Sequence, residues 1–156
     1  VEELKKKDEK YFAEQYIDGR EFNISLTGNP LIVFPIAEIK FNNYPKEKPK
    51  IIGYRAKWDE ESFEYANTKR NFNFKKEDAG LLEKLREICL KCWNLFELKG
   101  YARIDFRVDE NNIPYVLEIN TNPCISPDAG FIAAAERAGL KHTELIKKII
   151  DNLNRK

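Results

Sequence analysis

The residues best equipped for chemistry in this chain lie in one run, 101–120, Tyr-Ala-Arg-Ile-Asp-Phe-Arg-Val-Asp-Glu-Asn-Asn-Ile-Pro-Tyr-Val-Leu-Glu-Ile-Asn. Alternation along a strand puts Ile104, Phe106 and Val108 on one face and Arg103, Asp105 and Arg107 on the other. On a second strand Glu118 and Asn120 share a face, opposed by Leu117 and Ile119. A hairpin looping through residues 110–113, with Pro114 tolerated at a strand start, sets Asp105 opposite Glu118 and Arg103 opposite Asn120. Carboxylates facing each other across a ladder repel, so this pair asks for a cation between them. Hard oxygen donors from Asp, Glu and Asn suit Mg²⁺, which keeps several waters and is commonly completed by phosphates. Arg103 beside them suits a phosphate or a developing oxyanion. The same pattern also describes a solvated sheet face on which Arg103 and Arg107 simply pair with the acids, and spacing alone leaves both readings open.

Several elements must hold these residues. Residues 11–17 read as a strand, Asp18-Gly19 as turn chemistry, and 21–26 as a second strand, so a hairpin is expected there. After Thr27-Gly28-Asn29-Pro30, residues 31–41 read as a third strand, with Pro35 implying an edge or bulge. Residues 42–49 are polar and Pro-bearing and read as a loop. A short apolar run at 51–54 leads into a polar, aromatic-studded stretch reaching Phe74 that has no period of 2 or 3.6, the signature of a functional or mobile loop.

From 78 to 98 the apolar residues Leu81, Leu82, Leu85, Ile88, Cys89, Cys92, Trp93 and Phe96 recur at spacings of three and four, one face of an amphipathic helix stopped by Gly100. Strands at 102–108 and 115–120, a loop at 123–130, and helices at 129–138 and 143–154 complete the chain, the last with Thr143 as N-cap. This order predicts an α+β fold, a largely antiparallel sheet with flanking helices.

Composition narrows the field. The 156 residues carry 27 Lys+Arg against 26 Asp+Glu, and this near-balance gives no general attraction to nucleic acid or anionic membrane. The longest apolar stretch, 31–39, is interrupted by Pro35 and Glu38 and is too short to span a bilayer as a helix. The three cysteines are too few, and odd in number, for a secreted disulfide framework, so a reducing cytoplasm is expected. No Met occurs, not even at position 1, and the chain is expected to be a piece of a longer protein.

Cys89-x-x-Cys92 resembles half a zinc site, but both cysteines fall on the apolar helix face and read as core thiols. His142, the only histidine, stands at a helix start and reads as structural. The basic and aromatic residues of 57–74 are diluted by Asp59, Glu60, Glu61 and Glu64, which favours a loop covering phosphates over a nucleic-acid surface.

The runs Arg-Ile-Asp-Phe and Leu-Glu-Ile-Asn-Thr-Asn-Pro, preceded by Ala13-Glu14-Gln15-Tyr16-Ile17-Asp18-Gly19-Arg20-Glu21 and Ala56-Lys57-Trp58, resemble the carboxy-terminal part of ATP-grasp enzymes, in particular the D-alanine:D-alanine ligase group. The resemblance covers nearly the whole chain. It implies an ATP- and Mg²⁺-dependent carboxylate–amine ligase acting through an acyl phosphate, present here as a partial enzyme lacking its upstream lobe and substrate domain.

Asp105, Glu118 and Asn120 would hold two Mg²⁺ ions, Mn²⁺ being the alternative, with Glu118 bridging. Arg103 would face the acyl phosphate. Glu14, Gln15 and the backbone of Ile17 would line the adenine, Glu21 would meet the ribose hydroxyls, and Lys57 would reach the phosphates from a mobile loop. The partners implied are small carboxylate and amine substrates, the missing amino-terminal part of the same enzyme, and a second copy in a homodimer.

Four positions depart from the pattern. Cys124 replaces a Gly, Gln15 a Lys, Trp58 a Tyr, and Ala129 a Ser that grips the terminal carboxylate of the second D-alanine, so these residues leave open which acid and amine are joined. A nucleotide-binding or interaction module that keeps the fold without the chemistry is the rival reading. A Mg²⁺-dependent phosphotransferase or hydrolase on an unrelated α+β fold is another.

Overall fold

The computed structural model describes residues 12–153. Its strands are β1 (Arg20–Thr27), β2 (Ile32–Val33), β3 (Ala37–Phe41), β4 (Thr68–Asn71), β5 (Tyr101–Val108) and β6 (Pro114–Asn120). They form one sheet in the order β4-β3-β1-β5-β6, every pairing antiparallel, with β2 paired to the far end of β1. The helices are α1 (Tyr54–Trp58), α2 (Phe63–Asn67), α3 (Ala79–Leu95), α4 (Gly130–Arg137) and α5 (His142–Leu153). The predicted α+β class, an antiparallel sheet with flanking helices, is the one observed.

Alternation builds the larger core. Phe22, Ile24 and Leu26 of β1 and Ile104 and Phe106 of β5 point to one face, where Leu81, Leu85, Cys89 and Trp93 of α3 cover them. Burying each large apolar side chain there contributes about 1.5–3 kcal/mol. Cys89 and Cys92 are buried, as their helix positions required. A second cluster joins Phe34 to Phe131 and Ile132 of α4 and Leu145 and Ile149 of α5. At the rim of the sheet Arg20 donates to both oxygens of Glu38 (2.8 and 3.0 Å) and to Asp78 (2.6 Å), tying β1 and β3 to the turn before α3. Burial alone would raise the Glu38 carboxyl, yet the bonds from Arg20 and Lys40 hold it below the usual range.

Several expectations are corrected. The expected strand at 11–17, whose first residue lies outside the described residues, is not a strand over 12–17, and no hairpin forms at Asp18-Gly19. Both edges of β1 are already taken, by β5 on one side and by β3 and β2 on the other, so no partner edge remains. Gly19 instead makes a bend at φ +141°, where a Cβ would stand 2.0 Å from the Val108 carbonyl oxygen.

The expected strand 31–41 is two strands. Phe34 still donates to the Ser25 carbonyl (2.9 Å), but Pro35 has no N–H to continue the ladder. The patternless stretch to Phe74 contains α1, α2 and the edge strand β4. β4 shows no alternation because both its faces are largely open. Thr143 is not an N-cap: α5 begins at His142, so Lys141 stands at the cap position, and its N–H donates to Glu144 Oε2 in the first turn (2.8 Å). The predicted end of that helix, Asn154, lies outside the described residues. His142 is structural as expected, its Nε2 3.0 Å from the Ile125 carbonyl oxygen.

Candidate functional site

The face of the sheet opposite α3 carries the polar residues. Register places Asp105 opposite Glu118 and Arg103 opposite Asn120, as the alternation predicts. One detail differs. The ladder shifts after Asp105, so that Phe106 pairs with Val116 and Leu117 becomes the extra residue of a bulge. Leu117 consequently lines the cleft beside Glu118 instead of opposing it, while Ile119 packs on the core.

The cation between the acids is a side chain. Arg103 grips Asp105 through two bonds, Nε to Oδ1 at 2.8 Å and Nη2 to Oδ2 at 2.7 Å, and its Nη2 stands 3.7 Å from Glu118 Oε1. Asp105 is buried, whereas the Glu118 side chain is 54% exposed.

A cleft of about 430 Å³ opens over this face, within the usual size of a small-ligand site. Glu14, Gln15, Ile17, Glu21, Lys57, Arg103, Asp105 and Glu118 all line it, drawn from five parts of the chain. Of the expected site residues, Asn120 alone is not on its wall. Its Oδ1 accepts from the Asn122 N–H at 2.9 Å, fixing the turn that follows β6.

Sequence reasoning did not assign Tyr16, Lys50, Ile51, Ile52, Arg107 or Leu117 to the cleft. Arg107 is the most consequential of these. Almost fully buried, it donates to the Ile17 carbonyl (2.9 Å), to Glu21 Oε2 (3.2 Å) and to the Tyr16 hydroxyl (3.2 Å), and its guanidinium lies over the Tyr16 ring. It thereby pins the incoming segment 16–17 to the sheet. Its position on the polar face was readable, but its partners depend on where that segment crosses. Burial pushes the Glu21 carboxyl up to about 7, Arg107 offsetting only part of the desolvation.

The donor chemistry at Asp105 and Glu118 fits Mg²⁺. Among the described residues no group of three or more His, Cys, Asp or Glu converges, so the set is two carboxylates with the Asn120 carboxamide, all hard oxygen. A carbonyl oxygen has two lone pairs, so Asn120 keeps one beyond its turn bond. Lys57, on α1, is exposed at the cleft edge and lowers the Glu21 carboxyl slightly through its charge. Cys124 is exposed, with Sγ 3.1 Å from Ser126 Oγ, a contact that holds its thiol below the usual range. Ala129 is the N-cap of α4 and offers no side-chain bond.

A sheet of this order, with an acid pair across β5 and β6 and a ligand-sized cleft above them, is the carboxy-terminal subdomain of the ATP-grasp architecture. It superposes on a D-alanine–D-alanine ligase from Bacillus anthracis with a TM-score of 0.66 at 28% identity, covering 89% of this chain and 40% of that one. The chain belongs to the family described as D-ala D-ala ligase C-terminus, whose model matches residues 1–151.

It is 31% identical over 145 residues to an uncharacterized protein, y4sG, of Sinorhizobium fredii, covering 92% of this chain and 41% of that protein. To D-alanine–D-alanine ligase B of Clostridium perfringens it is 30% identical over 152 residues, covering 97% and 45%. The chain thus spans less than half the length of these relatives.

Proposed function

We propose that this chain is the carboxy-terminal catalytic lobe of an ATP- and Mg²⁺-dependent carboxylate–amine ligase that works through an acyl phosphate. The observation that carries the reading is the convergence on one cleft of Glu14, Gln15, Ile17, Glu21, Lys57, Arg103, Asp105 and Glu118. Ile51, Ile52 and Leu117 give that cleft apolar surface for a base, and the segment 14–17 supplies its polar edge. Glu21, which Arg107 holds on the cleft wall, would meet the ribose hydroxyls. Lys57 and Arg103 bring positive charge to the phosphate end.

Two Mg²⁺ ions, or Mn²⁺ in their place, would be held by Asp105, Glu118 and Asn120, and would neutralise phosphate charge during transfer. Arg103 is the residue that must act in the acyl step. Released from Asp105, its planar fork can bind the anionic oxygen that develops when the amine attacks. With Ala129 at the helix start in place of a hydroxyl residue, a carboxylate on the amine substrate has no side-chain anchor there. The substrate class proposed is therefore a carboxylic acid and an amine, and the identity of the amine turns on what anchors it in place of a hydroxyl at Ala129. The remaining phosphate contacts belong to the part of the relatives that this chain does not span. A homodimer and a cytoplasmic setting accompany the proposal, and no described helix is long and apolar enough to cross a membrane.

Titration of the chain with the Mg²⁺ complex of a non-hydrolysable ATP analogue tests this. Saturable binding in roughly the millimolar range is expected, strengthened by Mg²⁺, with no ligation or ATP hydrolysis by the chain alone. Steady turnover by these residues would refute the lobe assignment, and no binding at all would refute the nucleotide site.

A further inference from the structure

Asn23 stands on the polar face of β1, between Glu21 and Ser25, opposite Asp105 of β5 on one side and Ala37 of β3 on the other. Its Nδ2 is buried and has no hydrogen-bond partner. A buried donor without an acceptor is a cost the fold tolerates where another state of the molecule supplies the acceptor.

The acceptor that register brings near is the Asp105 carboxylate, since directly opposed residues hold their Cβ atoms about 4.5–5.5 Å apart. In the free chain each Asp105 oxygen accepts from Arg103 and neither accepts from Asn23. The proposed reaction requires that pair to part, Arg103 moving to a substrate oxygen and Asp105 turning to the metal. Asp105 is then left buried with no donor.

We propose that Asn23 is the positioning residue that takes over Asp105 when Arg103 leaves it, Nδ2 donating to one carboxylate oxygen and leaving the other for Mg²⁺. The inference rests on the functional reading above. A carboxamide suits the task chemically: it donates without adding charge, so it neither competes with the metal nor repels it. Its place on β1 suits the task mechanically, because a strand paired on both sides holds a short side chain at little entropic cost. Ala37, its partner on the other side, carries no group that could bond the amide instead.

The test separates free-state stability from metal-dependent binding. Asn23→Leu removes the donor at similar volume. Urea melts of the nucleotide-free chain are expected to match wild type or show a higher midpoint, because no bond is lost in that state. Affinity for AMP-PNP with Mg²⁺ is expected to fall about 10–100-fold, the usual loss when a residue orienting a metal ligand is removed. Affinity for AMP-PNP in EDTA is expected not to change. Should Leu fail to fold, Asn23→Ala is put through the same three measurements.

Undiminished Mg²⁺-AMP-PNP binding by the variant would overturn the inference alone. So would an equal loss with and without Mg²⁺. Failure of the wild-type chain to bind Mg²⁺-AMP-PNP would overturn the functional reading and this inference with it.

Discussion

Asp105 is held by Arg103 through two short bonds, while Glu118, 3.7 Å from the same guanidinium, is half exposed, so the two acids contribute unequally to the free fold. Asp105→Asn is expected to lower stability by about 1–3 kcal/mol, because a largely buried guanidinium loses its charged partner. Glu118→Gln is expected to change it by less than about 0.5 kcal/mol, as an exposed pair at long range does. Urea melts of the two variants check this, and equal effects would contradict it.

Glu21 sets a pH dependence. Its carboxyl sits at about 7 in the fold against an ordinary 4.5, so between these values the folded chain binds the extra proton. Stability from this group is therefore full below about 4.5 and declines as pH rises toward 7, then stays level. In Glu21→Gln the difference between urea midpoints at pH 5 and pH 8 should shrink, and an unchanged difference would reject this account.

Alternation made the polar faces of β5 and β6 legible from sequence, but the pairing of Asp105 with Glu118 depends on the bulge at Leu117, since the register set at the loop, with Val108 opposite Pro114, would by itself bring Asp105 opposite Leu117. The Arg107 bonds were not legible, since they depend on a segment that arrives from outside the sheet.

Among elements, β6 buries no residue and was read from its composition and its pairing to β5, while α3 and β5, which each bury one face, could be read almost to their ends. The segment 12–18 could not. Its aromatic and β-branched content suits a strand, but pairing depends on a vacant edge, and β1 has none. β4 was hidden for the opposite reason, an edge strand with neither face buried having no alternation to show.

What directs the segment 12–18 across the cleft is the bend at Gly19, where the chain passes against the Val108 carbonyl. Gly19→Ala puts a methyl into that carbonyl at a positive φ, and is expected to destabilise the fold by about 1–3 kcal/mol. It should also weaken nucleotide binding more than the loss of folded fraction explains, since Glu14 to Ile17 are displaced. Melting and binding measured on the same samples check the point; binding that tracks only the folded fraction would argue against it.

Over the whole molecule, order falls away from the paired centre of the sheet toward the cleft rim. β5 has strands on both sides and buries most of its residues, whereas α1 and α2 bury none. Amide hydrogen exchange in nucleotide-free protein is expected to be far faster over 57–67 than over β5, because local opening there exposes little apolar surface. Addition of Mg²⁺-nucleotide should slow it, as closure of a loop over substrate would. Matching protection in the two regions without nucleotide would count against a closing loop. The residues of the proposed site follow the same gradient, with the acids and arginines on paired strands and Lys57 on a helix that buries none of its residues.

Among the described residues β6 has a strand neighbour on one side only, and Tyr115, Val116 and Leu117 along it are 40%, 42% and 50% exposed. Such an edge is a template for strand addition by another molecule, and natural sheets guard it with charge. The gatekeeper on this edge is Glu118, the residue also assigned to metal. On the proposed reading, chemistry and colloidal stability thus draw on one carboxylate. Glu118→Gln, nearly neutral for folding, is expected to shorten the lag before light scattering rises in concentrated metal-free solution, and an unchanged lag would show that the edge is protected by other means.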